Sequence, residues 1–396
     1  MTYVQGRLVH DADSHLMELD GCLDPWFDPK LLTAFHDLPI YRKKITPFGW
    51  AEPFRRMHED QEFRAGAPEN LLLRKNYQAL GSFRRDDRPR AVALFGFASQ
   101  LVFTTFCLGN FGLDESGDLE LCYAAATAHN RMMTDFCAVD RRLLATAYVP
   151  LVDFDRALAT AREAIGLGAK ALLIPSRCPP GRSPSHIGFD PVWAAAQEAG
   201  LPILFHVGGE VKLHPDYFEN GVARVKDFHG GEENFTSVSF MAIPGSVMQS
   251  LACLILDGVL DRFPRLKFGA IELGASWLPG WMRFLDSAHQ AFYKNEERLH
   301  RLSAPPSEIV RRQVRVTPYP HEDAAWIIEN SGEEICLFSS DYPHVEGGRN
   351  PLKRFDDCLA GTRPSATGRL FADNFIDLMG EGLAADLRRP QAMEAA

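Results

Sequence analysis

The sequence predicts a single-domain (β/α)₈ barrel, distorted by long excursions after its first and fifth strands. Three observations predict it. Short apolar, β-branched runs recur along the 396 residues, most are followed by an amphipathic helical pattern, and several end in an acid or a histidine.

The first run is Leu8–His15. After a long interval come Ala98–Thr105, Leu143–Val149, Ala169–Ile174 and Pro202–Val207. The last three are Leu266–Leu273, Val314–Thr317 and Ile335–Asp341, making eight candidate strands. Between them, Asp153 is placed to cap a helix over Phe154–Leu167, which Gly168 ends. A second helix runs Pro191–Ala199, opened by Asp190-Pro191 and stopped by Gly200. Gly245–Leu260 and Ser276–Phe292 supply two more. Strands alternating with helices close most simply into a barrel, although an open doubly wound sheet gives similar local signals. No G-x-G-x-x-G follows the first run, which disfavours a dinucleotide site.

Residues 16–95, with Trp26, Phe27, Phe48 and Trp50, interrupt the alternation. So do residues 208–244, with Gly-Gly at 208–209 and again at 230–231. Excursions of this length are expected to be lids, pocket walls or oligomer contacts. One barrel domain is expected over 1–380, with 381–396 a weakly helical or disordered tail.

A net charge of −10 and a pI near 5.7 argue against a nucleic-acid footprint or a polybasic membrane anchor. The eight cysteines include no C-x-x-C pair, and Cys253 and Cys336 sit in apolar runs, so reduced structural thiols are expected. The N-terminus shows no basic region followed by an apolar core. The longest apolar stretch, Val247–Leu256, is about half what a membrane span needs. A soluble cytoplasmic protein is expected.

Barrel enzymes draw their chemistry from the C-terminal ends of several strands, where the βα loops line the accessible mouth. Here the first strand ends in Asp13-Ser14-His15, the fifth in His206, the sixth in Glu272 and the eighth in Asp341. Asp13 and His15 are two apart and project to one face, so both can reach one ion. With His206 and Asp341 they make a mixed nitrogen and oxygen set suited to one divalent metal, Zn²⁺ or Mn²⁺ and also Fe²⁺. Each residue also has an ordinary structural reading: Asp13 as a turn cap, His206 as a hydrogen-bonded core histidine, Asp341 as a turn starter. The coincidence of all four at strand ends favours the metal.

Those residues, with HDADSHLME, AHNRMMTDFC, FDPVWAAAQEAGLPILFHVGG, LDRFPRLKFGAIELGASWLPGWMRFLD and LFSSDYPHVEG, resemble the amidohydrolase superfamily. The resemblance is to the amidohydrolase-related branch that includes aminocarboxymuconate-semialdehyde decarboxylase and aromatic-acid decarboxylases. It implies a distorted barrel with one catalytic metal held by Asp13, His15, His206 and Asp341, in a family whose members commonly form homodimers. It departs on strand six, where many relatives have a histidine and this chain has Glu272. His344, His229 and His214 are further acid–base candidates, with His344 favoured for its place three residues after Asp341.

Nonoxidative decarboxylation of an aromatic or unsaturated carboxylic acid is the expected function, with Asp341, or a water it controls, supplying the proton and Trp26, Trp50 and Phe106 as candidate walls for an aryl group. The alternative is hydrolysis of an amide, ester or lactone, with Asp341 or Glu272 as base. A barrel that binds a ligand without chemistry is the third reading.

Overall fold

The computed structural model describes residues 2–38, 52–223 and 236–389, with 108–111 described by backbone alone. Phe48, Trp50, His229 and the second Gly-Gly pair lie outside the described residues.

Among the described residues, seven parallel strands follow chain order around a curled sheet: β1 (His10–Leu16), β2 (Ser99–Thr104), β3 (Leu143–Tyr148), β4 (Ala171–Leu173), β5 (Ile203–His206), β6 (Phe268–Ile271) and β7 (Val314–Val316). Every strand residue is buried, as expected of a parallel sheet covered on both sides. The helix Phe154–Leu167 forms as predicted: Asp153 accepts a hydrogen bond from the Arg156 N–H at 2.9 Å, and Gly168 ends it at φ 94°.

The eighth expected strand, Ile335–Asp341, is extended but builds no continuous ladder. It pairs with β7 at its start, where Val316 N–H donates to Ile335 O at 3.0 Å and Leu337 N–H to Val316 O at 2.9 Å. Its later half pairs with β1 through Ala12 N–H to Phe338 O at 3.0 Å and Asp341 N–H to Asp13 O at 2.9 Å. Between these, β1 shifts register from Asp11 to Ser14, and the Asp11 carboxylate takes the Ser340 N–H at 2.8 Å. A side chain thus stands where a ladder carbonyl would be, leaving two isolated bridges, Ser14 to Tyr342 and Val316 to Cys336.

Two apolar layers hold the barrel. The larger lies between sheet and helices and includes Val102, Trp193, Val247, Leu251 and Val310. The smaller fills the interior with Leu101, Phe103, Leu144, Tyr148, Leu173, Leu204 and Ile271, and continues into Phe375, Leu378, Leu383 and Leu387. His10, at the N-terminal end of β1, stacks on Phe375 with ring centroids 4.9 Å apart. The C-terminal segment therefore plugs the N-terminal end of the barrel and leaves the opposite end for the site. Leu383 and Leu387 are buried, so packing continues past the boundary expected at 380.

The apolar run at 247–256 belongs to a longer helical stretch, Ser237–Leu256, that is long and apolar enough to cross a membrane by length and composition alone. It packs Val247, Leu251, Leu254 and Ile255 into the outer core. All eight cysteines are free.

Candidate metal centre

β1 carries Asp13 and His15 to the mouth, and β5 ends in His206. His15 Nδ1 lies 3.0 Å from Thr104 O, and His206 Nδ1 lies 3.0 Å from Val207 O. A carbonyl only accepts, so Nδ1 donates in both rings and a neutral ring presents its Nε2 lone pair to the mouth. His15 Nε2 stands 3.2 Å from Asp13 Oδ1, 3.5 Å from Asp341 Oδ1 and 3.6 Å from Glu272 Oε2. His206 Nε2 stands 3.2 Å from Glu272 Oε2 and 3.5 Å from Asp13 Oδ1.

The donor atoms of Asp13, His15, His206 and Glu272 lie within 4.8 Å of one another, as do those of His15, Asp341 and His344. Asp13 Oδ1, His15 Nε2 and His206 Nε2 are buried without a hydrogen-bond partner among the described residues. Each such orphan costs about 1–3 kcal/mol. Lone pairs aimed at carboxylate oxygens repel unless a proton or cation lies between them. Two imidazoles and up to three carboxylates give the nitrogen and oxygen donors, and the negative charge, that suit a divalent ion. The residues fit the metal.

Burial drives the Asp13 carboxyl upward, but the His15 and His206 rings overcome it and hold it well below the usual carboxylate range. His15 is raised despite burial, by Asp13 and then Asp341. Glu272 is pushed far above the ordinary range, first by burial and then by the charges of Asp341 and Asp13.

Two of these acids sit on left-handed backbone, Glu272 at φ 53° and Asp341 at φ 51°. Such a conformation costs a non-glycine residue about 1–3 kcal/mol and persists only where neighbours enforce it. Thr317 Oγ1 accepts the Glu272 N–H at 2.8 Å, and the Tyr319 hydroxyl donates to Glu272 O at 2.8 Å. Asp341 N–H donates to Asp13 O at 2.9 Å and His344 N–H to Asp341 O at 2.7 Å.

A family model for amidohydrolases matches residues 35–374. The chain belongs to that family. Among solved structures, it is similar to the amidohydrolase map2389c of Mycobacterium avium subsp. paratuberculosis K-10, at TM-score 0.69 and 23% identity, covering 94% of this chain and 99% of that one. It is also similar to 5-carboxyvanillate decarboxylase LigW2 of Novosphingobium aromaticivorans DSM 12444, solved with manganese and a nitrobenzoic acid. That match has TM-score 0.59, 19% identity and coverage of 95% and 97%. A dihydroxybenzoic acid decarboxylase of Polaromonas sp. JS666, with manganese and 2-nitroresorcinol, matches at TM-score 0.58 and 14% identity, covering 94% and 97%. At these identities the likeness shows an amidohydrolase barrel. No curated protein matches the chain.

Within this amidohydrolase barrel, Asp13, His15 and His206, three of the four residues expected as ligands, share one donor set with Glu272, expected as an acid–base group. The fourth, Asp341, approaches it through His15 and groups with His344. His344 is at the site: its Nδ1 lies 2.9 Å from Asp341 Oδ1 and its Nε2 3.0 Å from Thr105 Oγ1. His214 is elsewhere, exposed and accepting from the Asp216 N–H. Trp26 lines a cavity of about 630 Å³ with Tyr123 and Arg131 that includes none of the donor residues. Phe106 follows Thr105 and stacks with Tyr77 at 6.2 Å. Asp11 was missed: in HDADSH it reads as one more strand-end acid, yet the register shift turns it toward Ser340 and Gln100.

Proposed function

We propose that the chain is a metal-dependent decarboxylase acting without an oxidant on an aromatic or unsaturated carboxylic acid. The observation that carries this reading is the Asp341–His344 pair. The Thr105 hydroxyl donates to Leu16 O at 2.8 Å, so its oxygen is left to accept from His344 Nε2–H. With Nε2 protonated, the 2.9 Å contact between His344 Nδ1 and Asp341 Oδ1 holds one shared proton. A proton held beside a metal centre is what decarboxylation consumes: the carbon–carboxylate bond breaks, its electron pair stays on carbon, and that carbon takes the proton.

Asp13, His15, His206 and Glu272 would hold the ion, with Asp341 beside His15. Bound there, a dication supplies Lewis acidity that orients a carboxylate and an adjacent oxygen and offsets negative charge. Asp341 delivers the proton, and His344 holds it in place and is recharged through the mouth. The decarboxylases among the similar structures, with carboxylic acids or phenols bound, support the substrate class.

The same pair also favours a second reading. Started unprotonated, it takes a proton from water, as hydrolysis of an amide, ester or lactone requires. Incubation of Mn²⁺- or Zn²⁺-loaded protein in ¹⁸O-water with a panel of aryl and enoic acids, and with a matched panel of their amides, esters and lactones, separates the two. Release of CO₂ with a new C–H bond is expected; ¹⁸O entering the product without CO₂ establishes the hydrolase instead.

A further inference from the structure

Arg177 lies four residues beyond β4, on the same rim as the metal centre. Its N–H donates to Gly209 O at 2.8 Å, three residues after His206. The two loops approach closely: a Cβ on Gly209 would stand 3.1 Å from Ser176 N and 3.2 Å from Pro175 Cα. This contact buries Arg177 to 8% exposure. A guanidinium is seldom so enclosed without partners for its donors.

Here the guanidinium has ion-pair partners, but two of its nitrogens have no hydrogen bond. Arg177 Nε and Nη2 make no hydrogen bond among the described residues, and neither does the neighbouring buried Ser176 hydroxyl. The closest anions stand back: Asp114 Oδ2 is 3.6 Å from Nη2, and Glu115 Oε1 is 3.4 Å from Nε. Asp114 is instead occupied by Tyr148, whose hydroxyl donates to it at 2.6 Å. Tyr148 ends β3, and its side chain joins the interior layer with Phe103, whose ring lies 4.4 Å from that of His206. Arg177 is therefore over the β3 to β5 side of the mouth, with donors free of hydrogen bonds. Two carboxylates, Asp114 and the more exposed Glu115, balance its charge without hydrogen-bonding to it.

We propose that Arg177 binds a second anionic oxygen group on the substrate, a carboxylate separate from the one at the metal. The substrate class narrows to diacids, one acid group at the donor cluster and the other at the guanidinium. A planar fork with two free N–H groups matches a carboxylate in bidentate fashion and selects against monoacids, which leave it unpaired. This rests on the reading of the donor cluster as the seat of a carboxylic acid.

The test is calorimetric titration of the full chain, loaded with Mn²⁺, with benzoate, isophthalate, terephthalate and 4-carboxyphenylacetate. At least one diacid is expected to bind about 10-fold tighter than benzoate. Arg177→Met should bring that ratio to about 2-fold or less, with benzoate affinity and bound Mn²⁺ unchanged. Arg177→Lys, which keeps charge but loses the fork, should fall between, and it carries the test if the methionine variant does not fold. The proposal is overturned if no diacid exceeds benzoate in the wild type. It is equally overturned if the variants lose thermal stability but keep the ratio, since Arg177 then only pins two loops together. A chain that takes up no Mn²⁺ yet selects diacids through Arg177 overturns the metal reading and leaves this one standing.

Discussion

Asp11 grips Ser340 with both carboxylate oxygens: Oδ1 accepts the backbone N–H at 2.8 Å and Oδ2 the hydroxyl at 2.6 Å. Gln100 donates to Oδ2 at 2.7 Å, and the buried Arg88 in turn donates to Gln100 at 3.3 Å and to His15 O at 2.9 Å. One buried carboxyl thus fixes the segment bearing Asp341 against the strand bearing Asp13 and His15. Supports of this kind orient ligands they never touch.

Asp11→Ala is therefore expected to weaken Mn²⁺ binding by about 10–100-fold while every donor side chain remains. It should also cost about 2–5 kcal/mol of stability, because Gln100 and Ser340 lose their acceptor inside the protein. Metal titration with urea unfolding reads both. Unchanged metal affinity in a destabilised variant would reduce Asp11 to a core residue.

His206→Ala and Asp13→Ala remove one donor each from the cluster. Purified without chelator, both should carry well under half the metal of the wild type, and metal should raise the wild-type Tm but scarcely move theirs. Elemental analysis and thermal melts decide it. Full occupancy in both variants would place the ion elsewhere.

His344→Asn is expected to lower kcat by about 10²–10⁴-fold with little change in KM, since the ring holds a proton and does not grip substrate. An equal rise in KM would show that it binds the acid instead. The loss of kcat should persist at saturating metal, which separates it from a ligand defect.

Much of this site was legible because strand geometry is simple. Side chains two apart share a face, so Asp13 and His15 could be paired from spacing alone, and His206 and Asp341 from their places at strand ends. Glu272 was legible as an acid–base group at its strand end, but its reach to His206 was not, because that depends on a left-handed backbone that AIELGAS does not announce. Asp11 and the interrupted eighth strand were hidden together: which carbonyl or carboxylate answers the Ser340 N–H is a tertiary fact. Arg177 was invisible for a similar reason. PSRCPPGRSP reads as exposed loop, and only the approach of Gly209 buries it.

Asp114 offers a pH signature away from the donor cluster. Burial is the main cause that pushes its carboxyl up to about 6, offset in part by Tyr148 and Arg177. Between about pH 4 and 6 the folded state then binds more protons than the unfolded chain, so this group's contribution to stability falls as pH rises. Asp114→Asn cannot titrate. The stability of the wild type relative to this variant should fall by up to about 3 kcal/mol from pH 4 to 7 and level off above. Urea unfolding of both proteins in chelator measures it; a difference that grows with pH would show a carboxyl depressed by Arg177.

Glu272 permits a crossed prediction that separates a metal ligand from a structural acid. Without metal, burial and the charges of Asp13 and Asp341 oppose its ionisation in a site where only 14% of the side chain reaches solvent. Glutamine has no carboxyl that must take up a proton on folding, so metal-free Glu272→Gln should melt a few degrees above the metal-free wild type at pH 7. With metal, the order should reverse. The amide offers a weaker donor to a dication, and the wild type gains more binding free energy on loading. A structural acid predicts no reversal: the variant would shift in one direction under both conditions. Thermal melts of both proteins, in chelator and with saturating Mn²⁺, decide between them. Parallel shifts would remove Glu272 from the donor set and leave Asp341 as the second carboxylate ligand.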